Sequence, residues 1–204
     1  MGLASIEAAG HPRSLIMFSH MQTLLSRSVV LLLLAALVMP GFTQTQAAPA
    51  STPTPAAKPG DVDTVEHILA AVYDVISGPP GARDWDRFRS LFYPGARLIP
   101  SRRDENGKIS ARVLNTEEYI ERSKPFLEKE GFYEAAVSNR IELWDHIAHV
   151  WSSYESRHAK GEKPFARGIN SFQFFHDGSR WWVVTIYWEA EDSTHPVPEK
   201  YLSK

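Results

Sequence analysis

No cysteine occurs anywhere in the 204-residue chain. Disulfides, thiolate metal sites and cysteine nucleophiles are therefore excluded. No long run of like charge occurs either, which argues against a nucleic-acid or anionic-membrane partner, since either needs a concentrated basic face. The one long apolar run, Val29 to Met39, is shorter than the ~20 residues that cross a bilayer. The chain has no internal repeat.

What is present begins with an export signal. Arg27 precedes the apolar run, and Pro40-Gly41 and a stretch of small residues follow it. That is the layout of a secretory signal peptide. Thr45 and Ala47 occupy the −3 and −1 positions of a cut after Ala47, so residues 1–47 are read as signal. A start at Met17 or Met21 gives a signal of ordinary length. The expected location is periplasmic or secreted, with no membrane attachment after cleavage. Without residues 1–47 the chain carries 20 basic and 23 acidic residues, a net charge of −3 with His neutral. Residues 48–60, A-P-A-S-T-P-T-P-A-A-K-P-G, form a Pro/Ala linker. Residues 61–192 suffice for one domain with a real core, and 193–204 are a C-terminal tail.

Hydrophobic patterning orders the domain. Asp63 is the expected cap of a first helix whose apolar face is Val65, Ile68, Leu69, Val72 and Ile76. A second short helix starts at Asp84. Two short strands follow around Asn106-Gly107, and Pro100 places the first of them at a sheet edge. A third helix starts at Asn115 with Glu118 as its capping-box partner. Phe132 to Trp144 and Ile147 to His158 are strands joined at Asp145-His146. The last hairpin, Ala166 to Glu191, turns at Asp177-Gly178. Alternation turns Ala148, Val150, Ser152, Tyr154, Asn170, Phe172, Phe174, Trp182, Val184, Ile186 and Trp188 to one face. It places Val137, Asn139, Ile141 and Leu143 on one face of the strand before. Two helices, two short strands, a helix and four long antiparallel strands make an α+β domain with helices on one face of a curved sheet.

That order, with Leu91-Phe92-Tyr93-Pro94-Gly95-Ala96, Ala148-His149-Val150-Trp151-Ser152-Ser153-Tyr154-Glu155 and Asp177-Gly178-Ser179-Arg180-Trp181-Trp182, resembles the NTF2-like (SnoaL-like) superfamily over residues 62–192. The resemblance implies a cone: a curved antiparallel sheet packed on three N-terminal helices, with a pocket between them and homodimers formed through the sheet. It leaves function open, because members include ketosteroid isomerases, dehydratases, epoxide hydrolases, polyketide cyclases and binding domains. Carried over by residue, it puts Asn170 at the oxyanion aspartic acid of the isomerases, Pro100 at their base and Val72 at their tyrosine. No Asp-Arg-Asp set of the epoxide-hydrolase kind faces inward.

The candidate pocket residues are Asn139, Ser152, Tyr154 and Asn170, the polar groups on the inward face, with Trp188 and the helix residues Tyr73 and Tyr119. Their competing reading is a structural network of buried polar groups bonded to one another. No Asp, Glu or His turns inward by alternation, so the expected function is binding of a small, largely apolar ligand, with neither cofactor nor metal. An enzyme of the isomerase, dehydratase or cyclase type is the alternative, using Asn170 and Tyr154 as donors and an acid from a helix. A structural dimer with a filled core is the second alternative. His146 and His149 stand H-x-x-H across a turn, with no third ligand at metal-site spacing. Trp151, His149 and Trp144 on the opposite face are the expected dimer contact.

Overall fold

In the computed structural model, which describes residues 53–203, helix α1 spans Val65–Ile76. Its apolar face buries Ile68, Leu69, Val72, Val75 and Ile76, and Tyr73 is buried with them. Thr64, not Asp63, caps the helix: its side chain accepts a bond from the His67 amide. The Asp63 carboxylate instead meets the His67 ring at 2.6 Å. The expected export signal, residues 1–47, and the first five residues of the linker lie outside the described residues. The rest of the linker ends in a 3-10 helix, Pro59–Asp61, and Ala57 packs against the core.

Arg83 closes the loop after α1 by donating to the carbonyl oxygens of Ile76, Gly78, Pro79 and Gly81. Helix α2, Trp85–Leu91, starts at the Asp84 cap and buries Phe88 and Leu91. Helix α3, Thr116–Lys129, has the expected capping box between Asn115 and Glu118.

Six strands form one sheet: β1 Phe92–Arg103, β2 Ile109–Ala111, β3 Tyr133–Trp144, β4 Ile147–Arg157, β5 Ala166–His176 and β6 Trp181–Ala190. Their order is β2-β1-β6-β5-β4-β3. The domain is α+β as expected, but the sheet is mixed, because β1 runs parallel to β6. A strand whose chain returns through helix and hairpins before pairing has no need to run antiparallel. Pro100 is consequently not at an edge. It lies opposite Trp188, inside the β1·β6 pairing, and its carbonyl accepts from Arg112.

Two β-bulges change which residues face the core. On β6 the register passes from Gln173↔Thr185 to Phe174↔Val183, leaving Val184 as the extra residue. Beyond it Trp181 and Val183 are buried, whereas the expected Trp182 and Val184 are only half-buried. Trp182 lies under the Arg180 guanidinium, 3.6 Å from its ring centroid. On β3 the register passes from Ala136↔Tyr154 to Ser138↔Ser153, leaving Val137 extra. A one-residue insertion reverses the facing of everything on one side of it. Asn139 keeps its inward position opposite Ser152, and Glu134, opposite Ser156, turns inward as well.

Candidate active site

The inner face of the sheet and the three helices enclose a cavity of about 120 Å³. Its wall is apolar, with Val72, Ile76, Phe88, Leu98, Phe172, Ile186 and Trp188, and four polar side chains reach it: Tyr73, Tyr119, Glu134 and Asn170. A second, wider cleft of about 790 Å³ lies between α1 and the start of β3. Leu69, Asn139, Arg157 and Lys160 contribute to that cleft. Tyr73 and Glu134 belong to both spaces and so form the partition between them.

Local structure fixes this partition. Tyr73 sits in the third turn of α1, on the face that buries Leu69 and Val72. Ser77, just past that helix, donates to the Tyr73 carbonyl at 2.7 Å and accepts from the Glu134 amide at 3.0 Å. The end of α1 is thereby pinned to β3 at the residue that bears the carboxyl group.

The polar groups form one chain of hydrogen bonds. Ser152 donates to Asn139 Oδ1 at 2.6 Å, which uses its only hydrogen. The Tyr73 hydroxyl, 2.7 Å from Ser152 Oγ, must therefore be the donor in that bond. Its oxygen then accepts from Asn170 Nδ2 at 3.1 Å. The same Asn170 nitrogen reaches Glu134 Oε1 at 3.4 Å, and Ser156 donates to Glu134 Oε2 at 2.7 Å. The weakest member is the 3.4 Å contact, well beyond the usual 2.9–3.0 Å.

Glu134 keeps part of its surface toward the cleft, yet its carboxyl end lies inside the protein. Burial pushes its pKa up to about 7, and the bonds from Ser156 and Asn170 offset that only in part. Among the described residues no cation forms an ion pair with it; Arg157, across the same cleft, is paired with Glu155. Tyr119 is pushed up to about 12, by burial first and by Glu134 second. Burial raises Tyr73 and Tyr154 further, with Glu134 adding to both. All three phenols are neutral at physiological pH, whereas burial raises Glu134 into that range.

The expectation that no carboxylate faces the hollow is thus overturned, and the bulge at Val137 is the reason. Beside Val72, where the resemblance seeks a tyrosine, Tyr73 lines the cavity, and the carboxyl group that reaches it is Glu134 on a strand rather than a helix residue. Of the expected pocket residues, Asn170, Trp188, Tyr73 and Tyr119 line the inner cavity and Asn139 the outer cleft. Ser152 is fully buried behind Tyr73. Tyr154 is buried with its hydroxyl against Gly168, where an added Cβ would lie 2.7 Å from that oxygen and 2.2 Å from the Glu189 carbonyl. Neither borders the open space. Glu134 was missed because simple alternation placed it outward.

On the opposite face, the chain's own tail reaches one of the three expected dimer residues, Trp151. The Tyr201 ring lies 5.9 Å from that of Trp151. His149 lies beside Ser171 and Glu142 on the same face. Trp144, at the β3–β4 turn, stays 76% exposed. Among the described residues no three His, Asp or Glu side chains converge as a metal site would require.

No family model and no curated protein matches the sequence. Solved structures similar to it include a protein of unknown function with a cystatin-like fold from Nostoc punctiforme. That likeness has 13% identity, covers 64% of this chain and 96% of the other, and has a TM-score of 0.48. A protein from Parabacteroides distasonis, provisionally assigned as a ketosteroid isomerase, has 10% identity, 67% and 99% coverage, and a TM-score of 0.47. An NTF2-like protein of unknown function from Methylobacillus flagellatus has 11% identity, 63% and 95% coverage, and a TM-score of 0.43. Within this chain, three helices packed on a curved, mixed six-stranded sheet give the α+β cone that the resemblance to the NTF2-like superfamily implies.

Proposed function

We propose that the cleft and inner cavity bind a small, neutral, largely apolar carbonyl compound and that Glu134 exchanges a proton with it. The observation that carries this reading is an enclosed carboxyl group without a cationic partner, raised to about 7, on the partition between two cavities. A proton-transfer group works best when its pKa lies near the operating pH, and perturbed carboxyls in clefts are enriched at functional sites.

In the reaction, ionised Glu134 removes a hydrogen from the carbon next to the carbonyl. The electron pair moves onto the carbonyl oxygen, and the resulting acid returns the proton at another carbon or to a departing hydroxyl. Those outcomes are isomerisation and dehydration respectively. Asn170 supplies the stabilising donor. Its long bond to Glu134 is the one a substrate oxygen can displace, whereas the Tyr73 hydrogen is committed to Ser152. The apolar end of the molecule sits among Phe88, Phe172 and Ile186, and the remainder extends into the cleft.

The test is incubation with a panel of small ketones and enones in heavy water, followed by mass spectrometry. The expected result is deuterium uptake that rises through pH about 7 and disappears in Glu134→Gln. Uptake equal in both proteins, or none across the panel, would sink the reading. Because Tyr73 and Asn170 are already bonded to protein groups, a second reading is binding without turnover. It predicts a thermal shift from a panel member with no exchange. From the signal sequence we further propose that the protein acts outside the cytoplasm. Mass spectrometry of the exported form, expecting a chain that begins at Ala48, tests that.

A further inference from the structure

β3 is the last strand of the sheet, and among the described residues its outer edge pairs with no other strand, Ser77 occupying it only at Glu134. The other edge is the three-residue β2, whereas β3 is twelve residues long and open beyond Glu134. Long open edges are the positions that proteins ordinarily shorten, charge or cover. This one instead carries exposed apolar side chains at its far end: Ile141, Leu143 at 58% exposed and Trp144 at 76%.

The backbone of this segment is set by the turn that follows it. Trp144 faces Ile147 across the two-residue loop Asp145-His146. The closing pair of such a hairpin exchanges both its hydrogen bonds, and bonded and non-bonded pairs then alternate along the ladder. Trp144, Glu142 and Arg140 thus direct their N–H and C=O groups at β4. Leu143, Ile141 and Asn139 direct theirs at the open edge.

The sequence at that edge is complementary to itself. Arg140-Ile141-Glu142 reads as cation, apolar, anion. A second copy laid antiparallel about a two-fold axis at Ile141 puts Arg140 opposite the partner's Glu142, and Glu142 opposite the partner's Arg140. Both pairs lie on the outer face of the sheet, at non-bonded positions where cross-strand side chains come closest. Ile141 meets its own copy, and Asn139 meets the partner's Leu143. The residues that aim their backbone outward are those that this register pairs. Arg140 is already held in place by a bond to the Lys200 carbonyl and by the Tyr201 ring, 4.9 Å from its guanidinium carbon. Glu142 is free to pair, with only a 3.5 Å contact to the His149 ring.

We propose that β3 is the self-association edge of this protein and that its occupant is β3 of a second copy, in antiparallel register about Ile141. The contact is isologous, so it closes as a dimer rather than growing into a fibre. It joins the two six-stranded sheets into one. It also leaves the outer face of each sheet to its own tail, unlike a dimer built on Trp151 and His149. The partner's Leu143 then lies beside Asn139, a residue of the outer cleft, so association completes the rim of the site.

Sedimentation velocity on the exported chain at micromolar concentration tests this. The expected result is a dimer. Glu142→Arg sets like charges opposite one another twice and should weaken association at least about tenfold. Arg140→Glu should do the same, and the double exchange should restore the dimer because the self-complementarity returns. Leu143→Lys, at a position exposed in one copy, is expected to be monomeric with an unchanged circular dichroism spectrum. A monomeric wild type, a dimer indifferent to Glu142→Arg and Leu143→Lys, or a double exchange that stays monomeric would each overturn the proposal.

Discussion

The side-chain amide of Asn170 lies 3.1 Å from the Tyr73 hydroxyl and 3.4 Å from a carboxyl oxygen of Glu134. One nitrogen thus joins the helix phenol to the strand acid, and both its hydrogens are used inside the protein. Asn170→Asp removes those donors and puts a second carboxyl beside the first. Two carboxylates in one enclosed site cannot both ionise cheaply, so one of the pair is driven well above its usual range. The expected outcome is a protein as stable as wild type near pH 4 and destabilised by roughly 2–4 kcal/mol at pH 8. Urea unfolding at both pH values checks it, and equal loss at the two would mean that the pairing is not electrostatic.

Glu134 itself makes folding depend on pH. Its folded pKa, about 7, lies above the ordinary 4.5, so between those values the folded state holds the proton more tightly than the unfolded chain. Stability is greatest at the acid end of that window, falls as pH rises through it, and levels off above about 7. At about 1.4 kcal/mol per pH unit the full loss is at most about 3 kcal/mol. Glu134→Gln keeps the shape and removes the titration. It should match wild type near pH 4.5 and exceed it at pH 8 by about 2–3 kcal/mol. Melting curves across that range check the sign, and a variant weaker than wild type at pH 8 would contradict the burial of the carboxyl.

Tyr73 is the hinge of the hydrogen-bond chain, because it both donates to Ser152 and accepts from Asn170. Tyr73→Phe leaves one buried amide hydrogen of Asn170 without an acceptor, at a cost of about 1–3 kcal/mol. Released from Tyr73, the amide can draw closer to Glu134 through its other hydrogen, shortening the 3.4 Å contact, so the carboxyl pKa should fall below its wild-type value. Carbon-13 NMR titration of the Glu134 carboxyl reads this directly. An unmoved titration would mean that the Asn170 contact carries no weight.

Much of this was legible in the sequence, and most of the part that was not has one cause. The Asn115–Glu118 capping box, the Asp84 cap and the hairpin at Asp177-Gly178 are local devices, written in a few adjacent residues. Asn170 and Ser152 could be read as inward because β4 and β5 pair without interruption between Ala148 and Tyr154. A β-bulge leaves no comparable mark. Val137 is an ordinary strand residue, as is Val184, and nothing nearby signals that the register slips there. Past each slip the alternation reverses, so Trp181 replaced Trp182 in the core and Glu134 moved from the surface into the site. The parallel pairing of β1 with β6 was hidden for a related reason: it joins segments far apart in the chain, with no turn between them to announce it.

The tail beyond Asp192 is expected to be a working part of the domain rather than an appendage. Two nearly buried hydroxyls depend on it: Ser153 donates to the Tyr201 carbonyl and Ser138 to that of Ser203. Glu191 anchors its start, accepting from Arg167 and from the Val197 amide, both at 2.9 Å, and Val197 is itself buried. Removing residues 193–204 returns both hydroxyls to water, which recovers part of the loss, but it also uncovers Trp151 and apolar surface of the outer face. The net expectation is a loss of about 2–4 kcal/mol, with about 1 kcal/mol for Tyr201→Ala alone. A red shift in emission that is absent when Trp151→Phe is combined with the truncation would place the exposed indole. If truncation left both the unfolding midpoint and the emission unchanged, the tail would not be covering the sheet in solution.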